Sequence, residues 1–162
     1  MILLMKTTVI APHRSSLGMD ANLISLVIFI VMAVVSWFPY LGWFAWVVPI
    51  IFFMTEKESS FVKFQSATAL IIGLISAAIK FAFWVLIKIT TPNPLRNLND
   101  LYRYATGGWG IHVFFGGLNT IIGLAITAVI IYMIIMAYGY KQVELPFIGP
   151  LAQKASAKLD QG

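Results

Sequence analysis

ANLISLVIFIVMAVVSWFPYLGWFAWVVPIIFFM, residues 21–54, is the stretch on which the fold of this chain turns. As one helix its 34 residues would run about 50 Å at 1.5 Å per residue. A bilayer core of about 30 Å needs only about 20 residues. Near its middle stands Pro39-Tyr40-Leu41-Gly42, a cluster compatible with a turn and rich in side chains that favour the membrane interface. The stretch therefore reads as a tight hairpin, with span one at about 21–38 and a short span two at about 41–55. Pro49 inside the second arm keeps a kinked or re-entrant segment open as the alternative.

Outward from the hairpin, two more apolar blocks supply one span each, at about 66–89 and 111–138. The whole chain of 162 residues is 60% hydrophobic and 10% charged, with a mean hydropathy of +0.89. Soluble domains carry about a quarter charged residues, so this composition predicts an all-α membrane protein in which lipid is part of the solvent. The charge distribution favours four spans over three. With four, Lys6, Arg14, Lys57, Lys63, Lys141, Lys154 and Lys158 share one side, and Lys88, Arg96 and Arg103 the other. Lysine and arginine prefer the cytoplasmic side, so both termini, 1–20 and 139–162, are expected to be cytoplasmic tails of a multi-pass protein of the bacterial inner membrane. Three spans would divide the charges about evenly and specify nothing. The apolar start, Met1 to Met5, is too short for a secretory signal, and the first long run is read as a retained anchor.

Between spans three and four, Asn93 can cap a helix, Pro94 can occupy its first position and Gly107 can close it. Leu95, Leu98, Leu101 and Tyr102 then share one face, with Arg96, Asn99, Asp100 and Arg103 opposite. That pattern predicts a short amphipathic helix at about 94–106, lying in the interface or docked on the bundle. The tail repeats the pattern more weakly through Leu151, Ala155 and Leu159.

Polar residues inside the spans are the candidates for function. Gln65, Ala69, Gly73, Ser76 and Lys80 fall within about one quadrant of span three. In span four His112, Gly116, Asn119, Thr120, Gly123, Thr127 and Tyr138 fall within about 100° of helix surface. Such faces serve close helix packing in lipid, or else line a polar path formed by Gln65, Ser76, Lys80, His112, Asn119, Thr120 and Thr127. An ionisable residue at membrane depth counts as a functional candidate, although Lys80 can also reach an interface by extending its stem.

Several chemistries are disfavoured. Cysteine is absent, which removes disulfides, thiolate metal sites and cysteine nucleophiles. His112 has no acid or nucleophile at a diagnostic spacing, and Gly107-Gly108-Trp109-Gly110 lacks the ending of a phosphate loop. No enzyme activity, cofactor or metal is expected. The net charge of +5 comes from basic residues scattered beside apolar segments, which suits anionic headgroups better than nucleic acid.

Ser16-Leu17-Gly18-Met19-Asp20-Ala21-Asn22-Leu23 resembles the opening of a family of small bacterial membrane proteins related to the Tic-twenty component of the chloroplast inner-envelope translocon. The strongest match runs from Pro49-Ile50-Ile51-Phe52 through Thr55-Glu56-Lys57-Glu58-Ser59-Ser60-Phe61-Val62-Lys63-Phe64-Gln65-Ser66-Ala67. It is similar to a proline-bearing apolar segment, a Glu-Lys turn and Phe-Val-Arg-Phe-His-Ala in that family. Leu145-Pro146-Phe147-Ile148-Gly149-Pro150-Leu151-Ala152 resembles the family's closing Leu-Pro-x-Ile-Gly-x-Leu-Ala. Residues 90–110 are outside the resemblance. Gln65 stands where the family commonly has histidine, while Lys63 keeps the positive charge. The resemblance implies a four-helix membrane bundle. It implies function only loosely, since the plastid relatives belong to a protein-import channel complex and most bacterial relatives have no known function.

The leading expectation is a non-enzymatic accessory or assembly subunit of a membrane complex, partnered by the bilayer and by other membrane subunits or copies of itself. Its cytoplasmic contact is expected at the 55–65 turn, through Glu56, Lys57 and Lys63. A small channel or transporter using the polar path is the alternative, and lipid handling through Lys80 or Arg103 a third.

Overall fold

The computed structural model describes residues 6–38, 40–90, 96–103, 105, 109–146 and 148–159, with the side chains of Arg103, Trp109, His112, Lys158 and Leu159 outside that description. In chain order it contains strand β1 (Lys6–Val9), helix α1 (Ala21–Trp37), a 3-10 turn (Leu41–Phe44), helices α2 (Val47–Thr55), α3 (Ser60–Thr90), α4 (Leu98–Arg103) and α5 (Trp109–Tyr138), strand β2 (Lys141–Glu144) and helix α6 (Ile148–Leu159). The mostly helical expectation holds. Two helices, Ser60–Thr90 and Val113–Tyr138, are long and apolar enough to cross a membrane. Only 11% and 17% of their most apolar windows are buried within the protein, whereas a core helix of a soluble domain is mostly covered.

The break in the first apolar stretch lies where the turn cluster stands. Phe38 precedes Pro39, and the ring of a proline drives the residue before it out of helical geometry. Phe38 is accordingly extended, with ψ at 132°, and its N–H closes α1 on the Val35 carbonyl at 3.2 Å. Pro39 itself is outside the described residues. The second arm is an apolar helix over Leu41–Thr55, the range expected for it. It starts as a 3-10 turn and becomes α-helical only at Val47, which places Pro49 in the first turn, where the missing N–H costs nothing. Nine residues of α2 rise only about 14 Å.

Helix α3 begins six residues before the expected span. Ser59 caps it, since its hydroxyl accepts the Val62 N–H at 3.2 Å and its carbonyl the Lys63 N–H at 3.1 Å. Among the described residues between the two long helices, Arg96 and Asn97 precede a helix that begins at Leu98. Its cap is Asn97, whose side-chain oxygen accepts the Asp100 N–H at 2.8 Å. Asn93, Pro94 and Gly107, named as its boundaries, lie outside the described residues.

The chain folds as two compact units, Met1–Ala77 with Thr127–Gly162, and Ala78–Ile126. The core of the first is built on Ile28, Phe29, Met32, Phe61, Phe64 and Met133, all essentially inaccessible. Within the second, Phe83 and Phe115 meet edge to face at 6.4 Å, while Phe81, Trp84, Phe114 and Ile121 are exposed.

The tails, expected as appendages, contain a structured element that the all-α reading did not include. Strands β1 and β2 pair antiparallel, with Lys6 opposite Glu144 and Val9 opposite Lys141. The sequence offered little sign of it, because four residues joined across more than 130 positions carry no hairpin turn signal. After the strands, α6 folds back so closely that a Cβ on Gly149 would lie 2.8 Å from Glu144 Cβ and 2.9 Å from its Cα. Gly149→Ala is expected to destabilise this corner by roughly 1–2 kcal/mol. The check is a lower melting temperature in detergent together with protease cleavage between β2 and α6.

Candidate functional site: a polar clasp on Glu56

The most elaborate polar arrangement lies where α2 gives way to α3. Glu56 is the C-cap residue of α2, and its carboxylate is turned inward, leaving the residue 2% exposed. Oε1 accepts backbone N–H groups from Ser59 at 2.9 Å, Glu58 at 3.0 Å and Ser16 at 3.1 Å. The Ser15 hydroxyl donates to Oε2. In return the Ser16 hydroxyl accepts the Lys57 N–H at 3.1 Å. Burial alone would push the carboxyl pKa up. The hydrogen bonds from Ser15 and from the Ser59 and Ser16 backbones outweigh it and hold the pKa at about 2, against 4.5 ordinarily.

A second tie lies beside the first. His13 Nδ1 is 2.9 Å from the Ala11 carbonyl, an obligate acceptor, so that nitrogen carries the proton. Nε2 lies within hydrogen-bond distance of the Ser59 hydroxyl, at 2.7 Å. The same hydroxyl oxygen caps α3, so one serine joins the N-terminal segment, the turn and the helix. A serine beside a histidine is also the start of a nucleophilic pair. Here Ser59 is 1% exposed and engaged as a helix cap, so the contact is a structural tie.

Tyr140 completes the assembly from the end of α5. Its ring lies 6.1 Å from His13 and 5.7 Å from Phe61, and its hydroxyl donates to the His13 carbonyl at 3.4 Å. Its φ of 53° is unusual for a side chain of this bulk and costs on the order of 1 kcal/mol. The ring contacts offset that strain. Asn22 donates to the Tyr138 carbonyl at 3.1 Å, Ile10 N–H to the Tyr140 carbonyl at 3.0 Å, and Gln65 Nε2 to the Lys141 carbonyl at 3.3 Å. The start of α1, the end of α2, the start of α3 and the end of α5 are thereby joined at one end of the first unit.

The clasp gathers some of the residues singled out from the sequence and not others. Of the expected contact residues, Glu56 is buried and engaged within the chain, Lys57 is exposed and Lys63 half-buried. Of the polar path, Gln65 is fully buried, with its amide oxygen unpartnered, as is the buried Ser66 hydroxyl. Ser76 and Thr127 are half-buried and belong with Gln65 to the first unit; Lys80 and Asn119, also half-buried, and the exposed Thr120 belong to the second. The Thr120 hydroxyl donates to its own helix at the Gly116 carbonyl, 3.0 Å away. The His112 side chain lies outside the described residues. His13 and Ser15 carry no signal in the sequence, and Ser16 figures there only as the first residue of a stretch that resembles the family. Their partners lie about 40 positions away, and nothing in local spacing reports a bond of that range. Ser59 carried a readable signal, a serine immediately ahead of an apolar helical run.

Among the described residues no group of three or more histidine or carboxylate side chains is placed to hold a metal ion. What the arrangement can do is mechanical: it closes both ends of the α1–α2 hairpin and ties the two terminal segments to it. No protein-family model, curated protein or solved structure gives a significant match to the chain.

Proposed function

We propose that this chain is a non-enzymatic integral membrane protein that serves as an accessory or assembly subunit of a membrane complex. The observation that carries the reading is an uncovered small-residue face on an apolar helix. A Cβ at Gly116 or Gly117 of α5 would meet nothing within 4 Å, and Thr120, one turn on, is exposed. Small residues exposed on a membrane helix are surfaces for close backbone approach by another helix.

In this reading α3 and α5 cross the bilayer, and the α1–α2 hairpin enters it and returns. The clasp between Ser15, Ser16 and Glu56 supports an even number of passages for the hairpin, whatever depth it reaches. The contacts from Tyr138, Tyr140 and Lys141 to Asn22, His13 and Gln65 support the same for α3 through α5. The N-terminal segment, the 55–65 turn and the tail then share a side, and their lysines and arginine mark it as cytoplasmic. Membership of the Tic-twenty-like family belongs to the proposal. Its support is that two of the resembling stretches touch, with Ala152 of the closing motif packed on Phe64 and Ala67 of the central one.

Purification in a gentle detergent is expected to bring down a partner, or a second copy, in stoichiometric amount. Gly117→Leu should abolish that association while leaving the isolated chain at least as stable, since the side chain meets open space and glycine costs a helix interior about 0.5–1 kcal/mol. A well-behaved lone monomer, with Gly117→Leu indistinguishable from it, would refute the subunit reading.

A further inference from the structure

At the end of the first unit closed by the clasp, exposed cations outnumber exposed carboxylates. Lys6, Arg14, Lys57, Lys141 and Lys154 are exposed there. They belong together because β1 pairs with β2, Ser16 bonds Lys57 and Gln65 bonds Lys141. Of the carboxylates at this end, Glu56 is buried among its hydrogen-bond donors, and Glu144 stands opposite Lys6 in the strand pair and accepts a hydrogen bond from Gln153 at 2.7 Å. Asp20 and Glu58 are the exposed acids there.

Helix α6 adds the geometry that a field of lysines lacks. Gly149 and Ala152 are buried, Gly149 against Glu144 and Ala152 against Phe64 and Ala67 in the first two turns of α3. Leu151, 55% exposed, and the exposed Lys154 and Ala155 occupy an adjacent strip at about 100° per residue. A helix held at the mouth of a spanning helix, with an uncovered leucine beside a lysine, fits the boundary between acyl chains and headgroups.

We propose that this face, α6 together with Lys57 and Lys141, binds anionic phospholipid headgroups of the leaflet that it faces. Leu151 enters the acyl boundary, and the lysines meet headgroup phosphates whose negative charge is not cancelled by a choline or an amine. The inference rests on the membrane reading above. It predicts a difference between lipids that insertion alone does not.

The test compares the whole protein in nanodiscs of phosphatidylcholine alone with nanodiscs containing phosphatidylglycerol as well. Melting temperature is expected to rise by several degrees with phosphatidylglycerol, and the rise should fade as salt is added, because such attractions are screened beyond about 10 Å at 0.1 M ionic strength. The double variant Lys57→Glu/Lys154→Glu should lose the rise, while Lys57→Arg/Lys154→Arg keeps it. Equal melting in the two lipids, or a rise that persists in high salt or in the charge-reversed variant, would overturn the proposal. If the charge-reversed variant fails to assemble, the lipid and salt comparisons on the unaltered protein still decide the matter. Failure to enter either kind of nanodisc, or extraction from cell membranes by alkaline carbonate, would instead defeat the membrane reading itself.

Discussion

Glu56→Ala is expected to be the most damaging single substitution at the polar end, lowering stability by on the order of 3 kcal/mol. One carboxylate takes three backbone N–H groups and the Ser15 hydroxyl, and Ser15, Glu56 and Ser59 are all buried. Hydrogen bonds to a charged group contribute about 1.5–3 kcal/mol each, and a buried donor left without a partner costs about 1–3 kcal/mol. The four are not additive, because the segment relaxes and water enters once the first is lost. Glu56→Gln keeps an oxygen for the N–H groups but not the charge, and should lose somewhat less than Glu56→Ala. Melting in detergent measures both, and protease digestion should cut between residues 10 and 20 once the N-terminal segment is released.

The same carboxylate makes stability depend on pH in a definite direction. Its pKa is near 2 in the folded protein and near 4.5 when unfolded, so the unfolded chain binds the proton more readily. The contribution is complete above about pH 5 and is lost as pH falls toward 2, amounting to on the order of 3 kcal/mol. Glu56→Gln should remove that part of the acid sensitivity. If it melts at the same temperature as the unaltered protein at neutral pH, and both respond identically to acid, the clasp does not stabilise the fold.

Gly73→Val is expected to break the packing between α3 and the returning arm of the hairpin, at a cost of roughly 3 kcal/mol. A Cβ on Gly73 would lie 3.0 Å from both Cα and Cβ of Trp46, and 3.5 Å from Met32 Sδ. The sulfur is the end of a flexible side chain and can move. The Trp46 backbone cannot move without shifting the start of α2. Overpacking by one methyl group ordinarily costs about 1–3 kcal/mol, so Gly73→Ala should fall in that range and Gly73→Val at or beyond its top. A direct readout is Trp46 fluorescence in a variant lacking the other tryptophans, which should shift as the ring leaves its packed position. An unchanged spectrum and melting temperature in Gly73→Val would show that the contact does not hold the hairpin against α3.

Gly73 was legible in the sequence as part of a small-residue stripe, but not as the point where Trp46 approaches. The stripe follows from helical periodicity, which local spacing reports. The identity of the facing residue depends on where the hairpin turns back, and the returning arm becomes α-helical at Val47 with Pro49 in its first turn. Ser59 shows the same division: its capping role is local and readable, whereas its bond to His13 spans 46 positions.

The 21–54 stretch by itself determined that the chain turns back on itself. Its length exceeds one bilayer crossing, and proline after Phe38 forbids the helix from continuing through that point. The apolar blocks likewise determined the two long helices, because burying backbone polar groups within a helix is what an apolar environment demands. Only the tertiary structure decided how these pieces are tied at their polar ends. It joined Lys6–Val9 to Lys141–Glu144, buried Glu56 beneath Ser15 and Ser16, and left Lys57 exposed. The physical reason lies in the range of the interactions. Periodicity and turn chemistry act over a few residues, whereas a buried carboxylate takes whichever donors the folded chain brings within 3 Å or so.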